Sequence, residues 1–143
     1  MEESVKHMKN DIQGGHLTPH EVSSRYSPLA LAYIGDSVYD LEVKTHFVLE
    51  SNMQPEKYHK KVSMIVSANS QSEFIESILD QLTEDELSVY KRARNSSPHT
   101  KAKNASLQNY LKATGFEAVI GYLYLSGQSE RMQELITLSI EKH

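Results

Sequence analysis

Apolar residues recur along most of this chain at intervals of three and four, the spacing of helices that each bury one face. The longest such segment covers residues 29–49. Leu31, Ile34, Val38 and Leu41 follow the helical repeat, and Leu29, Ala32, Tyr33, Tyr39, Val43 and Phe47 fill other faces. A helix that is apolar on most sides is expected to be buried on most sides, so this one is read as the central helix. A second strongly apolar helix is predicted over residues 113–125, stopped by Gly127, with a separate short helix before it at 106–111. Phe74, Ile78 and Leu82 share one face of a helix predicted over 67–82. Met132, Leu135, Ile136 and Ile140 do the same for a last helix over 129–142.

Start signals separate these segments. Thr18-Pro19-His20-Glu21 reads as a capping box with proline at the first helical position, opening a short helix that stops near Arg25. Ser27-Pro28 repeats the device ahead of the central helix. Pro55 starts a short helix over 56–63. Thr83-Glu84-Asp85-Glu86 is a second box, with acids in the first turn where the helix dipole favours them. Its helix ends near Arg94 or Asn95, before a loop over 95–100 that contains Pro98. Residues 62–66 are the one short candidate for a strand, and helix termini explain them as well. The expected class is all-α, with a polar leader over residues 1–16 and one domain over 17–143.

Composition narrows the function. The chain has 143 residues, enough for one domain, and 38% of them are hydrophobic, which leaves a polar surface. It has no cysteine, which excludes disulfides, zinc–thiolate sites and thiol nucleophiles. No apolar run approaches the roughly 20 residues that cross a bilayer, and the start has no signal-peptide core. A soluble, cytoplasmic protein is expected, with no membrane partner. The net charge of −4 argues against a protein that coats nucleic acid indiscriminately. That average conceals a split: residues 91–116 hold six bases and no acid, and residues 73–86 hold six acids and no base. Such a split marks a directional surface.

The informative residues are acids inside the two most apolar helices. Asp36 lies in Leu-Ala-Tyr-Ile-Gly-Asp-Ser-Val-Tyr, and Glu117 in Gly-Phe-Glu-Ala-Val-Ile-Gly-Tyr-Leu-Tyr-Leu. Asp and Gly are both poor residues for a helix interior. A carboxylate buried alone is costly and needs a counter-charge, yet residues 26–43 contain no base. A divalent cation would supply that charge, and carboxylate oxygens with water suit Mg²⁺ or Mn²⁺. A single such acid is more often turned outward or paired with a base; two together favour a metal. Gly35 and Gly121 would let the two helices approach closely, although ordinary tight packing also explains them. Asp40 follows Asp36 by one turn and is a further carboxylate to place.

The acid-free stretch offers a phosphate-binding surface. Lys91, Arg92, Arg94, Asn95, Lys101 and Lys103 are the candidate RNA contacts, with serine, threonine and asparagine neighbours as donors to phosphate and ribose. Lys57, His59, Lys60 and Lys61 form a smaller basic cluster. Few aromatics lie nearby, so a duplex read by shape fits better than a single strand held by stacking. His16 and His20 have ligand spacing but no partners, and are read as surface residues.

Leu31-Ala32-Tyr33-Ile34-Gly35-Asp36-Ser37-Val38 resembles the signature helix of the ribonuclease III family, whose Leu-Gly-Asp-Ser/Ala-Val core carries a catalytic aspartate. Phe116-Glu117-Ala118-Val119-Ile120-Gly121 resembles its second acidic helix, which carries a metal-binding glutamate. The segments Ile65-Val66-Ser67-Ala68-Asn69-Ser70-Gln71, Lys91-Arg92-Ala93-Arg94-Asn95 and Lys101-Ala102-Lys103-Asn104 support the match, which is nearest to the compact Mini-ribonuclease III branch. The resemblance implies a homodimer that cuts both strands of an RNA duplex by Mg²⁺-dependent hydrolysis. The ends left would be 5′-phosphate and 3′-hydroxyl. It implies a role in maturing the large-subunit (23S) ribosomal RNA precursor, with a ribosomal protein on that RNA as a further candidate partner. Asp36 and Glu117 inherit the catalytic and metal-ligand roles. Two positions depart from full-length ribonuclease III. Ala32 stands where that enzyme has a glutamate, and Thr114 where it has an aspartate. The alternative reading is therefore a catalytically weakened module of the same fold that binds RNA or a pre-ribosome. A helical nucleotide hydrolase would also place acids on facing helices, but it would need repeated acid pairs. Glu73 and Glu76 are the nearest pair and look solvated.

Overall fold

A computed structural model of the chain describes residues 17–96 and 105–143. The predicted leader, part of the loop after Asn95, and Lys101 and Lys103 lie outside these residues. Among the described residues all regular structure is helical: α1 Pro19–Arg25, α2 Pro28–Glu50, α3 Pro55–Val66, α4 Ala68–Ser77, a 3₁₀ turn Leu79–Gln81, α5 Glu84–Arg94, α6 Ala105–Leu125 and α7 Ser129–Glu141.

Local chemistry explains most of the boundaries. Thr18 and Thr83 both form complete capping boxes, the Thr18 amide donating to Glu21 at 3.1 Å and the Thr83 amide to Glu86 at 2.9 Å. Ser27 caps α2 by accepting from the Ala30 amide. Gly127 ends α6 at φ 70°, a conformation glycine adopts without strain.

Three boundaries differ from expectation. Residues 62–66 are helical and extend α3 to Val66; Ser67 alone separates α3 from α4, capping α4 at the Ser70 amide. The helix expected over 67–82 ends at Ser77, whose hydroxyl donates to the Phe74 carbonyl at 2.7 Å and competes with the backbone ladder. The 3₁₀ turn then carries the chain to Leu82. Residues 106–111 and 113–125 are one helix, α6, because nothing between them breaks a helix; Lys112 turns aside to pair with Glu76.

α2 and α6 form the centre, and α4 and α5 pack on α6. Tyr39, Phe74 and Phe116 stack edge to face, with ring centres 5.0 and 5.5 Å apart. The buried Tyr39 hydroxyl donates to Ser139 at 2.8 Å, which ties α2 to α7. Glu86, the last residue of the acidic run 73–86, is only 1% exposed. Arg131 grips it through two hydrogen bonds of 2.9 Å. Burial alone would raise the Glu86 pKa, but the Arg131 hydrogen bonds and charge, with Thr83, hold it below its ordinary value.

The α2–α6 crossing is close enough to bring backbone against backbone. A Cβ on Gly35 would collide with the Glu117 carbonyl oxygen and lie 2.7 Å from its carbon and 2.9 Å from the Gly121 nitrogen. A Cβ on Gly121 would collide with the Leu31 carbonyl oxygen and lie 2.9 Å from its carbon. Both helices must be bare at this point.

α2 is not buried on most sides. Leu29, Tyr33, Leu41, Val48 and Leu49 are exposed, Tyr33 and Leu49 at 82%. Its buried residues, Leu31, Ala32, Gly35, Val38, Tyr39, Val43 and Phe47, face the rest of the domain.

The crossing predicts the sign of a substitution. In an open helix Gly→Ala stabilises by about 1 kcal/mol. Gly35→Ala should instead destabilise by about 3 kcal/mol, the upper end of the overpacking range, and lower Tm by about 10 °C in a domain of this size. Thermal unfolding followed by circular dichroism measures it.

Candidate active site

Gly35 and Gly121 decide where the two acids go. Asp36 follows Gly35 on α2, and Glu117 contributes the carbonyl against which Gly35 packs. Both side chains therefore line one open cleft of about 500 Å³, shared with Leu29, Ala32, Tyr33, Gln71, Tyr110 and Thr114. Asp36 is exposed to this cleft rather than buried, so its cost of burial is smaller than the apolar sequence around it implied. Glu117 is half-buried. Ala32 and Thr114 also face the cleft. The two positions that lack an acid are thus at the site and not elsewhere.

The acids sit close enough to interact directly. Burial first, then the hydrogen bond and charge of Asp36, push the Glu117 carboxyl up to about 8; a hydrogen bond from Gln71 acts in the opposite direction. Gln71 Nε2 reaches Glu117 Oε2 at 3.4 Å and donates to the Val66 carbonyl at 2.9 Å. Among the described residues neither Asp36 nor Glu117 forms an ion pair. Asp40 does not join them; it pairs with Lys44 at 2.8 Å.

The arrangement fits a hydrated divalent cation. Mg²⁺ keeps several waters and is often held by only one or two carboxylates beside a substrate phosphate. Two adjacent acids without a base among the described residues, one resisting ionisation, supply that donor set. No group of three or more potential ligands occurs among the described residues, so a cage made of protein ligands alone is not present there.

The basic residues are placed apart from the acids. Lys91, Arg92, Arg94 and Asn95 form the end of α5, and none of them lines the acid cleft. Lys91, Arg92 and Asn95 are exposed. Arg92 donates to the Ser23 carbonyl and borders a pocket of about 110 Å³ with His20, Asp85 and Tyr122. Arg94 lies over the Tyr90 ring, 5.5 Å from its centre, which fixes its direction. In the smaller cluster Lys61 is near Glu50 and over Phe47. Gln71 was missed as a site residue. Its only signal was membership in the Ile65-to-Gln71 motif, since a lone glutamine in a polar helix carries no visible charge anomaly. No described helix is long and apolar enough to cross a membrane.

The raised Glu117 pKa has a consequence for the metal-free protein. Between the ordinary carboxyl value of 4.5 and about 8, the folded state holds a proton that the unfolded state has lost. Stability therefore falls as pH rises through that window. Glu117→Gln should flatten the fall, by up to ~1.4 kcal/mol per pH unit, the slope of one proton. Urea unfolding of both proteins between pH 5 and 8 in EDTA provides the comparison.

A family model described as the ribonuclease III domain matches residues 29–128, which include both acids. The chain is 43% identical to a Mini-ribonuclease 3 of Clostridium tetani, over 93% of this chain and 88% of that one. It is 38% identical to a Mini-ribonuclease 3 of a Thermoanaerobacter species, over 95% and 96%, and 44% identical to one of Staphylococcus aureus, over 77% and 84%. An X-ray structure of a Fusobacterium nucleatum protein superimposes with a TM-score of 0.72 at 31% identity, covering 82% of this chain and 93% of that one. A shared fold, matching chain lengths and two acids within the matched domain lead to one conclusion: this chain belongs to the ribonuclease III family, in its compact Mini-ribonuclease III branch.

Proposed function

We propose that the protein is a metal-dependent endoribonuclease for double-stranded RNA, with Asp36 and Glu117 as its catalytic and metal-holding residues. The observation that carries this reading is the pair of adjacent carboxylates, without an ion-pair partner among the described residues, in one open cleft placed by a backbone-to-backbone helix crossing. A bound Mg²⁺, or Mn²⁺ in its place, would supply an activated water and charge stabilisation at the phosphate. Asp36 and Glu117 would hold that cation. Hydrolysis there leaves 5′-phosphate and 3′-hydroxyl ends. Lys91, Arg92, Arg94, Asn95, Lys101 and Lys103 position the duplex through its backbone, the four at the end of α5 away from the reacting phosphate.

The exposed apolar residues of α2 support a homodimer. Leu29 and Tyr33 sit at the mouth of the cleft, and a side chain such as Tyr33, 82% exposed, is poorly suited to water. A second copy related by a two-fold axis would cover that face and set two clefts across one duplex. The substrate we propose is large-subunit (23S) ribosomal RNA precursor, presented with a ribosomal protein in the cytoplasm. Mini-ribonuclease 3 relatives at this level of identity support the nuclease class.

Ala32 and Thr114 favour a second reading, a binding module of the same fold with weakened catalysis. Cleavage separates the two. Wild-type protein given structured ribosomal-precursor RNA with Mg²⁺ should cut it, and Asp36→Asn or Glu117→Gln should lower kcat at least 10²-fold, with a dimer of unchanged mass in sedimentation. Binding without Mg²⁺-dependent cleavage by the wild type would favour the module. Full activity in either variant would move the site.

A further inference from the structure

Gln71 is the one fully buried polar side chain that borders the acid cleft among the described residues. It lies in the first turns of α4 and is 3% exposed. Its amide orientation follows from its neighbours. The Val66 carbonyl, 2.9 Å away, can only accept, so Nε2 must face it and Oε1 must face away. Nε2 also reaches Glu117 Oε2 at 3.4 Å, a stretched contact made by the same donor. Oε1 is buried and has no hydrogen-bond partner among the described residues.

That arrangement is expensive for a core position. A buried acceptor without a partner loses its hydration for nothing. Of the other residues that α4 buries, Phe74 and Ile75 are apolar and Ser72 donates to Asn109 at 3.1 Å; at Gln71 a methionine or leucine would fill the space without the penalty. The bond to Val66 gives the amide one structural task, since the last carbonyls of α3 have no partner within the helix. It accounts for neither the reach to Glu117 nor the unsatisfied oxygen.

We infer that Gln71 is a positioning residue for the metal-binding carboxylate of Glu117, an inference that rests on the reading of Glu117 as a ligand. Val66 fixes the amide, and the amide holds one oxygen of Glu117. The second oxygen is left for a cation or its water. The carboxylate then meets the cation in one orientation and loses less rotational freedom on binding. Groups that orient a ligand in this way raise metal affinity 10–100-fold. The unpartnered Oε1 is the cost of keeping a polar group in this wall.

The test uses Mn²⁺ alone with the RNA-free protein, by isothermal titration calorimetry, on wild type, Asp36→Asn and Gln71→Met. Gln71→Leu serves in the same way should the methionine variant fold poorly. The Gln71 variants are expected to keep the wild-type Tm or exceed it, while their Mn²⁺ affinity falls about tenfold or more. In cleavage assays the Mg²⁺ concentration at half-maximal rate should rise by a similar factor, with the KM for RNA unchanged and kcat recovered at high Mg²⁺. A folded Gln71 variant with wild-type Mn²⁺ affinity overturns the inference, and leaves the site reading intact if Asp36→Asn has lost binding. A fall in Tm with unchanged metal affinity assigns Gln71 to the end of α3 alone and also overturns it. Wild-type protein that binds no Mn²⁺ overturns both.

Discussion

The site depends on one contact, the crossing of α2 and α6 at Gly35 and Gly121. Neither helix has a side chain there, and the Gly35 Cα packs on the Glu117 carbonyl. Helices that meet through leucines stand 8–10 Å apart. Glycine accepts about 1 kcal/mol of helix propensity at each position and brings the backbones together. The packing that surrounds the crossing, Tyr39 and Phe74 against Phe116, keeps it from opening.

The same geometry explains why the site is sparse and still coherent. Ala32 and Thr114 line the cleft at positions that could have carried further acids. With only Asp36 and Glu117 there, repulsion between carboxylates is limited to one pair. Burial first, and then the hydrogen bond and charge of Asp36, push Glu117 up to about 8. A site with fewer charges needs fewer cations to neutralise it, and it relies more on the orientation of each ligand. Elsewhere the fold treats a buried acid differently. Glu86 is paired with Arg131 and serves stability, whereas among the described residues the acids in the cleft have no base.

Sequence alone revealed the helices that carry explicit punctuation. Thr18, Ser27 and Thr83 each announced a helix start that the structure contains, because a side-chain cap is a local interaction. Joins without such signals were harder. The continuity of α6 through Lys112 was hidden by a change from polar to apolar composition, which alters burial and not backbone conformation. The end of α4 at Ser77 depends on a hydroxyl–backbone bond that many helical serines do not make. Asp36 and Glu117 stood out as charges in apolar helices, but the openness of the cleft at Asp36 depends on how α2 and α6 cross. The capping role of Glu86 was legible, but its burial was not, because its partner, Arg131, is 45 residues away in sequence. Gln71 gave no signal of its own, since an uncharged residue becomes anomalous only when it is seen to be buried.

The central claim is that the crossing places Asp36 and Glu117 around one cation. Crystals soaked in Mn²⁺ and measured at the manganese absorption edge test it directly. An anomalous peak between the two carboxylates, lost in Asp36→Asn crystals, is the expected result. A fully occupied peak elsewhere on the molecule, with none between Asp36 and Glu117, would contradict it.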